Sequence, residues 1–331
     1  MAEDDFVLVE GLNINFAIPG GTLHAVRDAS FGIAKGETLC IVGESGSGKS
    51  MTALGLMGLL PSNAQRSARR LRVGGHDLMA MSRQQLSDLR GSEMAMIFQE
   101  PMTSLNPCYT VGNQMAETLV RHRGVPWRSA LITARDWLER VGIPPSAGRL
   151  DQYPHQLSGG LRQRVMIAMM LMCEPKLIIA DEPTTALDVT IQAQVLHLLA
   201  RLQREMGITM IFITHDLGVV SRIADRIAVM YAGQIVETGT TREVLTDAQH
   251  PYTRGLLDCV PVPGKTQRGA ALGTIPGTVP SLIGRLDGCG FAGRCRHAAP
   301  ACLTGLTALA ERDNGRQVRC LFAPATLWGR A

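Results

Sequence analysis

At 331 residues the chain is long enough for a full-sized domain plus a smaller one, and 45% hydrophobic with 19% charged residues is ordinary for a soluble globular protein. The acidic start MAEDDFVLVEG lacks the basic-then-apolar run of a signal peptide, and stretches such as VMIAMMLM are too short to span a membrane, so a cytoplasmic chain is expected, one that can still dock on a membrane protein. The net charge of +4 is uneven: from Pro261 onward nine Lys and Arg face three Asp and Glu, a local +6, which leaves −2 for the rest.

ETLCIVG (37–43) reads as a short buried strand ending in glycine, with a helical run SMTALGLMGLL behind it. Between them lies GESGSGKS (43–50), a glycine-rich loop in the strand-to-helix context of a phosphate cradle. Backbone N–H groups turned inward and the helix N-terminus would hold phosphates; Lys49 would reach the β- and γ-phosphates, and the Ser50 hydroxyl would ligate Mg²⁺. The basic run QRSARRLR (65–72) reads as an exposed loop in a strand-rich region. Residues 100 to 165 switch to helical patterning with Pro and Gly breaks, which predicts an inserted helical subdomain.

At its end, LSGGLRQR (157–164) exposes Ser158, Gly159 and Gly160 at a helix start; taken alone, this is either a helix cap or a second anion nest. KLIIADEP (176–183) is a buried strand ending in two acids. Asp181 suits Mg²⁺ contact through water, and Glu182 suits the orientation and polarisation of an attacking water. DVTIQAQVLHLLARLQREMG (188–207) places Val195, Leu198, Leu199, Leu202 and Met206 on one helical face, with Gly207 as C-cap, and ITMIFITH (208–215) is a further buried strand. Unalternating strands separated by helices predict an α/β fold with a parallel sheet.

After HPYTRGLLDCVPVPG the composition turns rich in Pro and Gly, which places a domain boundary near residue 260. Four cysteines gather there, Cys289, Cys295, Cys302 and Cys320, spaced C-x5-C-x6-C-x17-C. In a reducing compartment such gathering points to metal before disulfide. The spacing suits zinc poorly and differs from common ferredoxin patterns, so zinc, an iron–sulfur cluster and free thiols all stay open on spacing alone.

These motifs together resemble the ATP-binding subunits of ABC transporters. GESGSGKS resembles their Walker A motif, LIIADEP their Walker B and LSGGLRQR their signature. Gln99 in MIFQEP resembles the Q-loop, Ala186-Leu187-Asp188 the D-loop, and His215 the switch histidine. The match runs from residue 6 to 255; one departure is Leu161, where the family pattern has Gln. The resemblance implies a P-loop NTPase (RecA-like) ABC ATPase core over 1–260, with its helical subdomain at about 100–165. It implies ATP held by Phe16 (on adenine), Gly43, Ser45, Gly46, Gly48, Lys49, Ser50 and Met51, and Mg²⁺ held through Ser50, Gln99 and Asp181. Glu182, His215 and Gln99 become the catalytic set. Ser158, Gly159 and Gly160 would act on the ATP of a partner subunit, with Asp188 in the D-loop between them.

HPYTRGLL, IPGTVPSL and GCGFAGRC further resemble the C-terminal extension of oligopeptide and dipeptide importer ATPases. In that branch the four cysteines are associated with a [4Fe–4S] cluster. This implies a small, loop-rich, metal-binding extension over 261–331, and the nearby Arg294, Arg296 and Arg319 would then balance cluster charge. The branch implies a second homologous ATPase chain (a heterodimer, or else a homodimer), two transmembrane permease subunits and an extracellular or periplasmic solute-binding protein. The chain would sit peripherally on the cytoplasmic face of the cell (inner) membrane. Import of di- and oligopeptides is the expected function; nickel or metal chelates, glutathione and other small solutes are alternatives within the branch. A soluble ABC ATPase acting on nucleic acid or ribosomes would need a coiled-coil insertion, tandem ATP domains or paired-cysteine zinc modules, and nucleic acid is therefore not an expected partner.

Overall fold

β1 (Val7–Ile18) and β2 (Gly21–Ile33) pair antiparallel almost from end to end, around the tight connection Pro19–Gly20. Val7 and Val9 point to the core; a register shift between Val9 and Leu12 then changes the phase, so that Leu12 and Ile14 are buried as well. The computed structural model describes residues 4–99, 104–144, 148–185, 187–260, 273–284, 287–305, 307–312 and 315–322. They fall into two compact units, one built from 1–33, 38–79 and 213–331, the other from 34–37 and 80–212.

In the first unit, β3 (Thr38–Val42) is buried at all five positions and leads through the glycine-rich loop into α1 (Lys49–Met57). β4 (Ala64–Ser67) and β5 (Arg70–Val73) add to β1, and β6 (His76–Asp77) adds to β5. The basic run at 65–72 is therefore not the loop its composition suggests but mostly strand. Its charges are spent on the protein: Arg66 donates to the Gly55 and Leu78 carbonyls at 2.5 and 3.0 Å, and Arg69 and Arg70 pair with Asp28 and Glu10 at 3.1 and 3.4 Å.

The second unit holds α2 (Arg83–Leu89), β7 (Met94–Ile97), α3 (Val111–Arg123), α4 (Trp127–Arg140), α5 (Gly159–Leu171), β8 (Leu177–Asp181), α6 (Val189–Met206) and most of β9 (Thr209–Thr214). β7 and β8 run parallel in the order β9-β8-β7, the buried parallel arrangement that unalternating apolar strands require. α3 packs on α4 and α4 on α5, which gives the helical stretch foreseen between 100 and 165. On α6 the buried face is Val195, Leu196, Leu198, Leu199 and Leu202; Met206 is half-buried and Gly207 caps the helix at φ 63°.

The chain then returns to the first unit with α7 (Leu217–Ile223), β10 (Arg226–Tyr231), β11 (Gln234–Thr240), α8 (Thr241–Thr246) and α9 (Pro251–Asp258). β10 lies parallel to β3 and antiparallel to β11. The described residues beyond 260 are largely turns, closing with β12 (Ala310–Glu311) and β13 (Gln317–Val318), which places Val318 opposite Glu237 of β11. A buried ion pair fixes this return: Arg316 Nη2 meets Glu237 Oε1 at 2.6 Å, while the amides of Gln249 and His250 donate to the same carboxylate at 2.8 and 2.9 Å. Both oxygens of Glu237 thus accept hydrogen bonds, which helps a buried charge to be tolerated. No described helix is long and apolar enough to cross a membrane.

Candidate functional site

The glycine-rich loop is shaped by close backbone approaches. A side chain at Gly43 (φ 156°) would put its Cβ 2.1 Å from the Met230 carbonyl oxygen, and one at Gly48 (φ 103°) would come 2.5 Å from that of Ala25. Only glycine fits at either position. Lys49, the first residue of α1, is 5% exposed, and its ammonium donates to the carbonyls of Gly43 and Glu44 at 2.9 and 3.0 Å, so the loop closes around its own lysine. Ser45 and Gly46 stand exposed at the crest, with Ser50 and Met51 half-buried in the first helical turn. The N-terminal amides and partial positive charge of that turn favour an anion here.

Two further expected residues belong to this unit. Phe16 is half-buried on β1, opposite Leu23 and Ala64. His215 is exposed just past β9, and the chain on either side of it is pinned: the Asp216 amide donates to Thr214 Oγ1 at 3.0 Å, and the Asp216 carboxylate accepts from the Gly218 amide at 2.8 Å, capping α7.

The second unit presents the acidic pair. Asp181 ends β8 and is 5% exposed. Glu182 follows in a left-handed conformation, φ 44°, a backbone cost that concentrates at functional positions. Its Oε2 accepts from Gln99 Nε2 at 3.3 Å and from Thr185 Oγ1 at 3.0 Å, so Gln99 and the carboxylate meet although 83 residues separate them. Asp188 caps α6 through the Ile191 amide at 3.0 Å, and Ser158 caps α5 through the Leu161 amide at 3.4 Å, with Ser158 and Gly159 exposed. Ser158 thus is a helix cap, at the exposed start of α5. Ala186 lies outside the described residues.

All four clustered cysteines, Cys289, Cys295, Cys302 and Cys320, line one cavity in the first unit, together with His250, Phe291 and Phe322. Among the described residues no three or more His, Cys, Asp or Glu side chains converge closely enough to hold a metal ion, so the expected metal-binding extension is not carried by a ready single-ion site. Burial pushes the thiols of Cys289, Cys295 and Cys320 up from their ordinary value, and the neighbouring cysteines push them further. The arginines expected to balance cluster charge are engaged elsewhere. Arg294 pairs with Glu44, Arg319 donates to the carbonyls of Ile235 and Thr307 at 2.9 and 2.8 Å, and Arg296 contacts His297. Much of the local +6 is thereby spent on internal pairing. Tyr231, Tyr252 and the pairing of Arg294 with Glu44, all beside the glycine-rich loop, are not marked by any motif; HPYTRGLL held the signal for Tyr252, but nothing local marked its target.

Residues 26–185 match the family model described as ABC transporter, and 236–302 match that of the oligopeptide/dipeptide transporter C-terminal region. The chain is 48% identical, over 94% of its length and 93% of the relative's, to the dipeptide transport ATP-binding protein DppD of Bacillus subtilis (strain 168). It belongs to the ABC transporter ATP-binding subunits of the oligopeptide/dipeptide family. A second member, DppD of Escherichia coli (strain K12), is 46% identical across 95% of both chains. The ATP-binding cassette MJ0796, solved as a dimer in a post-hydrolysis state with ADP and Pi, superposes on 71% of this chain and 99% of its own at TM-score 0.64 and 26% identity. CbiO1 of Clostridium perfringens, part of the ABC transporter complex cbiONQ, covers 74% of this chain and 92% of its own at TM-score 0.63 and 32% identity. The fold is the ABC ATPase cassette, and membership of the family makes the chain an ATPase coupled to transport.

Proposed function

We propose that the chain is the ATP-hydrolysing subunit of an importer that takes up di- and oligopeptides through separate transmembrane subunits. The observation that carries the ATPase part is the carboxylate of Glu182, held by Gln99 and Thr185 immediately beyond Asp181. The named function of the relatives, dipeptide transport, supports the cargo.

In this reading the loop from Gly43 to Met51 wraps the triphosphate, Lys49 trades its two carbonyl partners for phosphate oxygens, and Phe16 stacks on adenine. Ser50, Gln99 and Asp181 would hold Mg²⁺; one carboxylate with neutral oxygens and waters suits that ion, which when bound offsets phosphate charge. Glu182 takes the proton of the attacking water as the new phosphorus–oxygen bond forms and the bond to ADP breaks. His215 donates to the γ-phosphate, and fixed donors here stabilise charge as it develops. Gln99 also links the nucleotide to the helical subdomain, a route from bound state to membrane partner.

The exposed start of α5, Ser158 to Gly160, completes the ATP site of a second homologous ATPase, with Asp188 between the two sites; a heterodimer fits the branch. Two permease subunits and a solute-binding protein outside the membrane complete the transporter, and this chain sits on the cytoplasmic face of the membrane. We assign 1–260 to the nucleotide-binding domain and 261–331 to an extension holding a [4Fe–4S] cluster. The shared cavity supports the cluster, since a cuboidal cluster holds four thiolates farther apart than a single ion does. Bound there, it would cross-link the turns that carry Cys289, Cys295, Cys302 and Cys320.

Uptake of labelled dipeptide tests the proposal. A strain lacking the chain should regain uptake with the wild-type gene and not with Lys49→Ala. Unchanged uptake in the deletion strain, with other small solutes failing instead, would reassign the cargo.

A further inference from the structure

The carboxylate of Glu44, second residue of the glycine-rich loop, is gripped from both sides by one guanidinium. Arg294 Nη1 lies 2.7 Å from Glu44 Oε2, and Arg294 Nη2 lies 3.0 Å from Glu44 Oε1. The Glu44 amide meanwhile donates to Tyr252 Oη at 2.9 Å, and its carbonyl accepts from Lys49. Amide, carbonyl and carboxylate of this one loop residue are therefore all held, two of them by residues beyond position 250.

Arg294 is itself fixed before it meets the loop. It donates to the carbonyls of Ile275 and Pro276 at 3.1 and 2.9 Å and to Tyr231 Oη at 3.3 Å, with its guanidinium over the Tyr231 ring at 5.7 Å. The arginine side chain is 7% exposed, so the pair is largely screened from water, where charge-assisted forked bonds are strongest. It directly precedes Cys295, in the short helical turn Ala292–Arg294, and Phe291 of that segment packs against Tyr231 and Tyr252 at 5.3 and 5.4 Å.

We propose that Arg294 is a positioning residue of the ATP site, acting from the cysteine-bearing segment through the Glu44 carboxylate to hold the phosphate loop in its receiving shape. The inference rests on the reading of 43–50 as the ATP loop. Its physical basis is twofold. A carboxylate beside the phosphates repels them unless its charge is matched, and Arg294 supplies the match. A loop that is anchored before ATP arrives loses less conformational entropy on binding. The extension thereby becomes part of the nucleotide site rather than an appendage to it.

The test is titration of ATP with Mg²⁺ into the full-length chain, with thermal melting recorded for every variant. Arg294→Met should raise Kd by about tenfold, as the loss of a forked ionic contact implies, and Arg294→Lys should fall between it and wild type. Glu44→Gln added to Arg294→Met should recover part of the loss, because the unmatched charge is gone; a purely structural role for Arg294 gives no such recovery. Glu44→Gln alone breaks the pair from the loop side and should weaken binding less than Arg294→Met. Equal Kd for Arg294→Met and wild type, or a double variant as weak as Arg294→Met, would overturn the proposal. Lys49→Ala separates the two layers: if it binds ATP like wild type, the loop assignment itself fails, and the Arg294 inference falls with it.

Discussion

Gln99 Nε2 reaches Glu182 Oε2 at 3.3 Å, so a residue just past one parallel strand holds the carboxylate that follows the next. Thr185 Oγ1 supports the same oxygen from three residues on, at 3.0 Å. Two donors on one oxygen hold this carboxylate in place. They also fix the side chain's direction before substrate arrives, as general-base chemistry requires.

Gln99→Ala removes one of these donors without touching the glycine-rich loop. ATP hydrolysis in the assembled transporter should fall by about tenfold in kcat, the range expected for loss of a positioning contact, with a smaller rise in KM for ATP from the lost Mg²⁺ contact. A rise in KM at constant kcat would mean that Gln99 serves binding and not the carboxylate.

Cys289→Ser should lower iron and acid-labile sulfide in protein purified without oxygen, with ATP binding retained. Unchanged iron in that variant would contradict the cluster. The cluster-free protein carries a second signature. Burial raises the thiols of Cys289, Cys295 and Cys320 above their ordinary 9.0 in the folded state, so folding favours their protonated form. That stability is fully present below pH 9.0 and is lost as pH climbs toward the raised folded values. Melting temperature of cluster-free protein should therefore drop above pH 9 more steeply than in a Cys295→Ala, Cys320→Ala variant.

His250 shifts in the other direction. It is fully buried, its Nδ1 accepts from the Tyr252 amide at 3.0 Å, and burial pushes its pKa from 6.5 down to about 3. The folded state holds it neutral, so its contribution is complete above pH 6.5 and drains away as pH falls toward 3. Wild-type stability measured by denaturant at pH 7 and pH 5 should differ by more than that of His250→Asn, which keeps a cap acceptor and does not titrate. Identical pH dependence in the two proteins would show that other groups dominate.

Much of the nucleotide site is legible in the sequence because local rules suffice there. A strand that must be buried on both faces reads as an unbroken apolar run, as in Leu177–Asp181, and the glycines at 43 and 48 stand where no Cβ fits. Leu198, Leu199 and Leu202 announce the buried face of α6 by spacing alone. The strands at 64–73 escaped because alternation there runs through arginines, whose stems and charges find partners in the neighbouring strand and loops. The pairing of Arg294 escaped for a different reason. Its partner Glu44 lies 250 residues away, and no periodicity encodes a contact across that separation. The local excess of basic residues was visible, but its purpose depends on where Glu44, Glu237 and Asp247 end up.

Comparison of the wild-type chain with Glu182→Gln, each assembled with its partner ATPase and permeases, tests the central assignment most directly. Steady-state phosphate release and retained ATP would be measured together. Loss of the base should slow release by about 10²–10⁴-fold while ATP stays bound, because the carboxylate acts on the attacking water and not on the nucleotide. Phosphate release near the wild-type rate, or loss of ATP binding in step with hydrolysis, would contradict the role of Glu182 and the mechanism built on it.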